Sequence, residues 1–213
     1  MLHMKTIKIW LVSFIVAAAT CGTGCNKVLD VKTVSSITNA NYWKAEGDVT
    51  GYLTGIYYDF RNLMNTTQYL EDRGDSFDEG LEVGVTNAWL QNLTPSTAPN
   101  WVSFYNLIHH CNLLLKYSKD IPFANESDKN RVFAETYFIR AFTYFVLVRA
   151  WGDVPLVLEP TEGGDQPMAA RSAASDVMKQ ILADVDQSIS LFPEDGFVNK
   201  SEASKPAAYA LMA

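Results

Sequence analysis

Apolar positions recur along this chain at the 3.6-residue period of helices that bury one face. Val49, Tyr52, Leu53, Ile56, Tyr57, Phe60 and Leu63 share one such face. They belong to a first predicted helix that begins near Asn39 or Asn41, is interrupted around Gly47 and ends at Asn65. Trp101, Phe104, Tyr105, Ile108, Asn112 and Leu115 mark the buried side of a second, from about Pro99 to Lys119. The third, Ser127 to Trp151, is entered through NESD, where Ser127 or Asp128 can cap. It carries Phe138, Ala141, Phe142, Phe145 and Val148 on one face, with Tyr137, Tyr144 and Trp151 beside it. Only Thr136, Arg140 and Thr143 remain as a polar strip, so several neighbours must cover this helix at once. Arg149 lies in its last turn, Gly152 can supply a left-handed cap, and Pro155 forbids continuation, so VPLVLEP reads as extended. A fourth helix, capped by Ser172 and stopped by Pro193, is lined by Met178, Ile181, Leu182, Val185, Ile189 and Phe192. SKPAAYALMA opens a fifth with Pro206 early in its first turn. The expected fold is all-α, built from consecutive amphipathic helices around the third. The sequence stops inside the fifth helix with no glycine cap or polar exit, so a fragment of a longer protein is expected.

Two stretches break the helical period. Residues 64–97 are rich in Gly, Asn, Asp and Thr, yet hold Tyr69 and Trp89. A connection of that length without its own period is uncommon and usually functional. At the amino terminus, Lys5 and Lys8 precede an apolar run from Ile9 to Ala19, which fits a secretory h-region and is too short for a bilayer span. Gly22, Thr23 and Gly24 then precede Cys25, small side chains of the kind a lipoprotein signal peptidase needs. Gly22 stands where leucine is usual, and the alternative is plain cleavage into the periplasm. The expected organisation is a signal peptide over 1–24, a lipidated tether over 25–37 and a helical domain over 38–213. Lipidation of Cys25 leaves Cys111 as the only thiol, so no intramolecular disulfide is expected.

With 48% hydrophobic and 19% charged residues the composition is that of a globular protein. Loss of residues 1–24, which hold two lysines and no acid, leaves 15 basic against 24 acidic side chains, a net charge of −9. That argues against nucleic acid as a partner and is silent on neutral sugars.

Candidate chemistry is thin. Gly74, Asp75 and Ser76 resemble an esterase nucleophile block, but no histidine stands three residues after an aspartate to serve it. His109, His110 and Cys111 are consecutive on a helix, point about 100° apart and cannot converge on one ion; Cys111 falls on the apolar side as a small core residue. Asp184 and Asp186 diverge in the same way, which reads as a solvated face. Asp72, Asp75, Asp78 and Glu79 could gather round calcium, but their spacing matches no standard loop, and no metal or cofactor is assigned. Arg140, on the strip of a buried helix, is expected to pair with a carboxylate inside the fold.

The block YFIRAFTYFVLVRAWGDVPLV resembles the signature helix and exit of the SusD/RagB family of outer-membrane lipoproteins. CNKVLDVK, NANYWKAEGDVTGYLTGIYYDF, the Trp101, Tyr105, Ile108, Asn112 pattern, ILADVDQSISLFP and SKPAAYALMA resemble successive segments of the same family, in order, over residues 25–213. The resemblance implies a tetratricopeptide-like helical superhelix with an irregular ligand-binding loop region. It implies a lipid-anchored protein at the outer membrane, facing the exterior, that captures oligosaccharides and passes them to a SusC-type TonB-dependent transporter, without catalysis. Peptide capture within the family, a protein–protein adaptor and an exported hydrolase are the alternatives. Position alone places Arg73, Trp89 and Asn92 in the loop before the second helix. There the indole can stack on a pyranose and the other two reach its hydroxyls, or Trp89 packs the loop against the helices.

Overall fold

A computed structural model of the chain describes residues 42–65, 94, 100–161, 169–194 and 201–213. The chain divides into residues 1–38 and 39–213, and all described residues belong to the second unit.

Helix α1, Glu46–Asn65, follows a break at residues 43–45. Asp48 Oδ2 makes that break by accepting the backbone N–H groups of Lys44 (3.0 Å) and Ala45 (2.8 Å), donors that no helical carbonyl serves. Val49, Leu53, Ile56 and Leu63 are buried, and Tyr52, Tyr57 and Phe60 are half-buried, so the predicted face is the packed one. Helix α2, Val102–Tyr117, buries Phe104, Leu107, Ile108 and the whole run Cys111 to Leu115. That is wider than the predicted stripe, because α2 packs on α1 from one side and on the next helix from the other.

That next helix, α3, Glu126–Trp151, is buried nearly all round. Its cap is Asn125, whose side chain accepts the N–H of Ser127, rather than Ser127 or Asp128. Gly152 closes it at φ +69°, a conformation that favours glycine. The strip Thr136, Arg140 and Thr143 is buried, not exposed. Both threonine hydroxyls are satisfied within the helix, donating to the carbonyls of Val132 (2.8 Å) and Ile139 (2.7 Å).

After α3 the chain forms a two-residue antiparallel ribbon, β1 Val154–Pro155 against β2 Arg171–Ser172, with Val154 opposite Ser172. Ser172 therefore pairs in the ribbon and does not cap α4, Ala174–Leu191. The cap comes from across the ribbon: Asp153 Oδ1 accepts the N–H of Ala174 at 2.8 Å. The buried line of α4 is Val177, Ile181, Asp184, Val185 and Ser188, while Met178 and Leu182 are 38% and 43% exposed. The reason lies in α3. Arg140 needs a carboxylate, which Asp184 supplies, and the buried Ser188 hydroxyl finds its acceptor in the Ala134 carbonyl, so the helix turns that line inward. Helix α5, Lys205–Met212, is capped by Ser204 with Pro206 in its first turn and packs on α4.

Each helix thus lies against its chain neighbours, a helical stack with α3 at its centre. Among the described residues no helix is long and apolar enough to cross a membrane.

One polar network locks the stack. Arg140 Nε and Nη2 donate to Asp184 Oδ2 and Oδ1, both at 2.7 Å, a bidentate pair with Asp184 only 2% exposed. Arg140 Nη1 donates to Asn112 Oδ1 (2.8 Å), Asn112 Nδ2 donates to the Val157 carbonyl (3.0 Å), and Gln180 Nε2 donates to Asp184 Oδ1 (2.8 Å). The Tyr144 hydroxyl completes it, donating to the same carbonyl and accepting the Val157 N–H. Helices α2, α3 and α4 and the extended exit are joined through groups that satisfy one another, which is what burial of polar atoms demands.

Candidate functional site

Arg73, Trp89 and Asn92 lie outside the described residues, as do Cys25 and the acidic set Asp72, Asp75, Asp78 and Glu79. The structure describes the frame that carries their loop. Helix α1 ends at Asn65 and α2 starts at Val102. The two run antiparallel: Trp43 stacks with Tyr117, Tyr52 meets His110 edge-on, and Asp59 reaches His110. The carboxyl end of α1 and the amino end of α2 therefore lie at the same end of the stack.

At that end lies a notch of about 260 Å³. Asp59, Asn62 and Leu63 line it from the last turns of α1, and Ser103, Asn106, Leu107 and His110 from the first turns of α2. Leu63 and Leu107 are buried and form its apolar floor. Asp59 Oδ2 sits 2.9 Å from His110 Nδ1, both side chains being 39% exposed. The neighbouring His109 lies 3.5 Å from the Thr161 hydroxyl, and burial, with His110 beside it, lowers its pKa below the ordinary imidazole value.

A larger groove, about 700 Å³, runs between α1 and the chain entering α5, with Tyr57, Tyr58, Phe60, Arg61 and Phe138 among its walls. Beneath it the Tyr57 hydroxyl donates to Glu135 Oε2 and accepts the N–H of Ala203, both at 2.8 Å. Burial raises the Glu135 carboxyl to about 7, helped by the nearby Glu202 and opposed by the Tyr57 hydrogen bond and by Arg131.

Among the described residues no group of three His, Cys, Asp or Glu side chains could hold a metal. The histidines and Cys111 do not converge: Cys111 is fully buried in the core and burial pushes its thiol to about 12. Arg140 is taken up by Asp184, as its place on a buried helix predicted; Asp184 itself is internal rather than solvated, while Asp186 is exposed. Asp59, Asn62, Ser103, Asn106 and His110 were not singled out as a group in the sequence. At i, i+3 and i, i+4 spacing on two helices they read as two solvated faces, and only the pairing of α1 with α2 joins them.

Comparison with known proteins adds the following. The profile of a SusD-like family described as "Starch-binding associating with outer membrane" matches residues 27–213. SusD-like protein P38 of Formosa agariphila is 29% identical over 171 residues, covering 76% of this chain and 33% of that protein. A solved structure described as a laminarin binding SusD-like protein superposes with a TM-score of 0.65 at 28% identity, over 80% of this chain and 39% of that one. A SusD-like protein of Bacteroides fragilis superposes at 0.66 with 23% identity, over 80% and 34% of the two chains, and shows the fold alone. The chain thus spans about a third of the length of the first curated relative it matches.

Proposed function

The chain belongs to the SusD-like family, and from that premise we propose that it is a cell-surface glycan-binding lipoprotein. It captures oligosaccharides at the outer membrane and passes them to a SusC-type TonB-dependent transporter, and it is not an enzyme. The observation that carries this reading is the match of the starch-binding, outer-membrane family profile to 27–213. The neighbour described as laminarin binding supports a carbohydrate ligand.

In this reading the stack is a scaffold and the loop 66–101 is the gripping part. Trp89 offers a flat indole to the apolar face of a sugar ring, while Arg73 and Asn92 reach its hydroxyls. Such a site needs no proton transfer and no nucleophile. Cys25 carries the acyl chains that hold the protein to the membrane, with the domain facing the exterior.

Electrophoresis through native gels containing starch or laminarin tests the ligand class. The full gene product is expected to be retarded in at least one gel, and Trp89→Ala to migrate as it does without polysaccharide. Equal mobility of the unmodified protein in every gel would overturn the reading in favour of a protein–protein adaptor.

A further inference from the structure

We infer that the notch between α1 and α2 is a second carbohydrate subsite, one that holds a single neutral sugar ring of a longer glycan. The inference deepens the glycan-binding reading above and rests on it. Four observations carry it. The polar groups are available: among the described residues the side chains of Asn62, Ser103 and Asn106 make no hydrogen bond, and Asp59 is held through Oδ2 alone. Their chemistry suits vicinal hydroxyls, because a carboxylate offers two acceptors and each amide a donor and an acceptor in one plane.

The floor is apolar. Leu63 and Leu107, 4% and 1% exposed, close its base, so a ring seated there meets an apolar wall below while the rim binds its edge. The size is limiting as well, since about 260 Å³ lies just under the roughly 300–1,000 Å³ of a drug-sized pocket, so one ring fills it. Finally, the rim is held in place before any ligand arrives: His110 fixes Asp59 at 2.9 Å and is itself met edge-on by Tyr52 at 6.0 Å. Charge decides the class of sugar. The Asp59 carboxylate repels a uronate or other acidic ring and accepts hydrogen bonds from a neutral one.

The subsite lies between the end of α1 and the start of α2, and in the reading above the segment joining them in sequence holds the main site, so a heptasaccharide rather than a disaccharide is the ligand that would engage both. Calorimetric titration of the full gene product with maltoheptaose and laminariheptaose, and with maltose and laminaribiose, tests this. The double variant Asn62→Ala/Asn106→Ala is expected to lose about thirtyfold in affinity for the heptasaccharide that binds, as two hydrogen bonds near 1 kcal/mol each imply. It should keep its affinity for the disaccharide and its thermal midpoint, because both side chains are exposed. Unchanged heptasaccharide affinity in the double variant overturns the subsite and leaves the glycan reading standing. Failure of the unmodified protein to bind any of the four sugars, or any gel polysaccharide, overturns both.

Discussion

Glu135 is a carboxyl with 3% of its surface exposed, set against the Tyr57 hydroxyl and facing Glu202 and Arg131. Burial penalises its charged form, and its pKa rises from 4.5 to about 7. The sign of the linkage follows. A folded-state pKa above the unfolded one means the fold prefers the proton. The stabilisation is full below pH 4.5 and is lost as pH rises through 7. Urea denaturation at pH 5 and pH 8 should show the difference between wild type and Glu135→Gln change by on the order of 1–3 kcal/mol, with the variant gaining relative stability at pH 8. A difference that stays constant between the two pH values would show that Glu135 keeps its ordinary pKa in the fold. Arg140 illustrates what a residue reveals in sequence. A guanidinium on an otherwise apolar helix must find a carboxylate, so its structural role was legible. Its partner was not: Asp184 is 44 residues away, and in sequence it looks like the exposed half of an acidic pair. A long-range ion pair leaves no periodic trace.

The helices were legible where one face is buried and blurred where more is. Helix α1 shows its stripe because it packs on one side; α2 and α3 are covered on two or more, so their periodicity understates burial. Helix α4 misled at Met178 and Leu182 because polar residues, Asp184 and Ser188, take the central line of its inward face. The other face of α1 carries a different kind of information. Gly47, Gly51 and Gly55 recur every fourth residue on its exposed side, and a Cβ built at any of them meets nothing within 4 Å. Glycine inside a helix costs about 0.5–1 kcal/mol relative to alanine, through the freedom of the unfolded chain. Gly51→Ala and Gly55→Ala should therefore each stabilise the domain by roughly that amount, additively, in chemical denaturation. Destabilisation by either would mean that the exposed face of α1 is closely covered in the full protein.

At the scale of the whole molecule, the proposed function requires an acidic domain to be held at a membrane, and no described helix is long and apolar enough to cross one. Electrostatics cannot supply the attachment, because the part after residue 24 carries a net charge of −9 and anionic headgroups repel it. Acyl chains can, since each buried methylene contributes about 0.8 kcal/mol and two or three chains together make release negligible on any cellular timescale. The amino-terminal pattern points to Cys25 as the acceptor, with small residues directly before it and Thr20 a poorer neighbour for Cys21. Each mode of attachment predicts its own fractionation. An acyl-anchored protein stays in the membrane pellet through high salt and alkaline carbonate and enters the detergent phase on phase separation, since neither wash weakens hydrocarbon burial. Cys25→Ser should move the protein wholly to the soluble exported fraction, while Cys21→Ser should leave it in the pellet. Metabolic labelling with a radioactive fatty acid should follow the same division, present in wild type and Cys21→Ser and absent from Cys25→Ser. Retention of the Cys25→Ser protein in washed membranes would place the attachment elsewhere, in Cys21 or in a partner embedded in the bilayer.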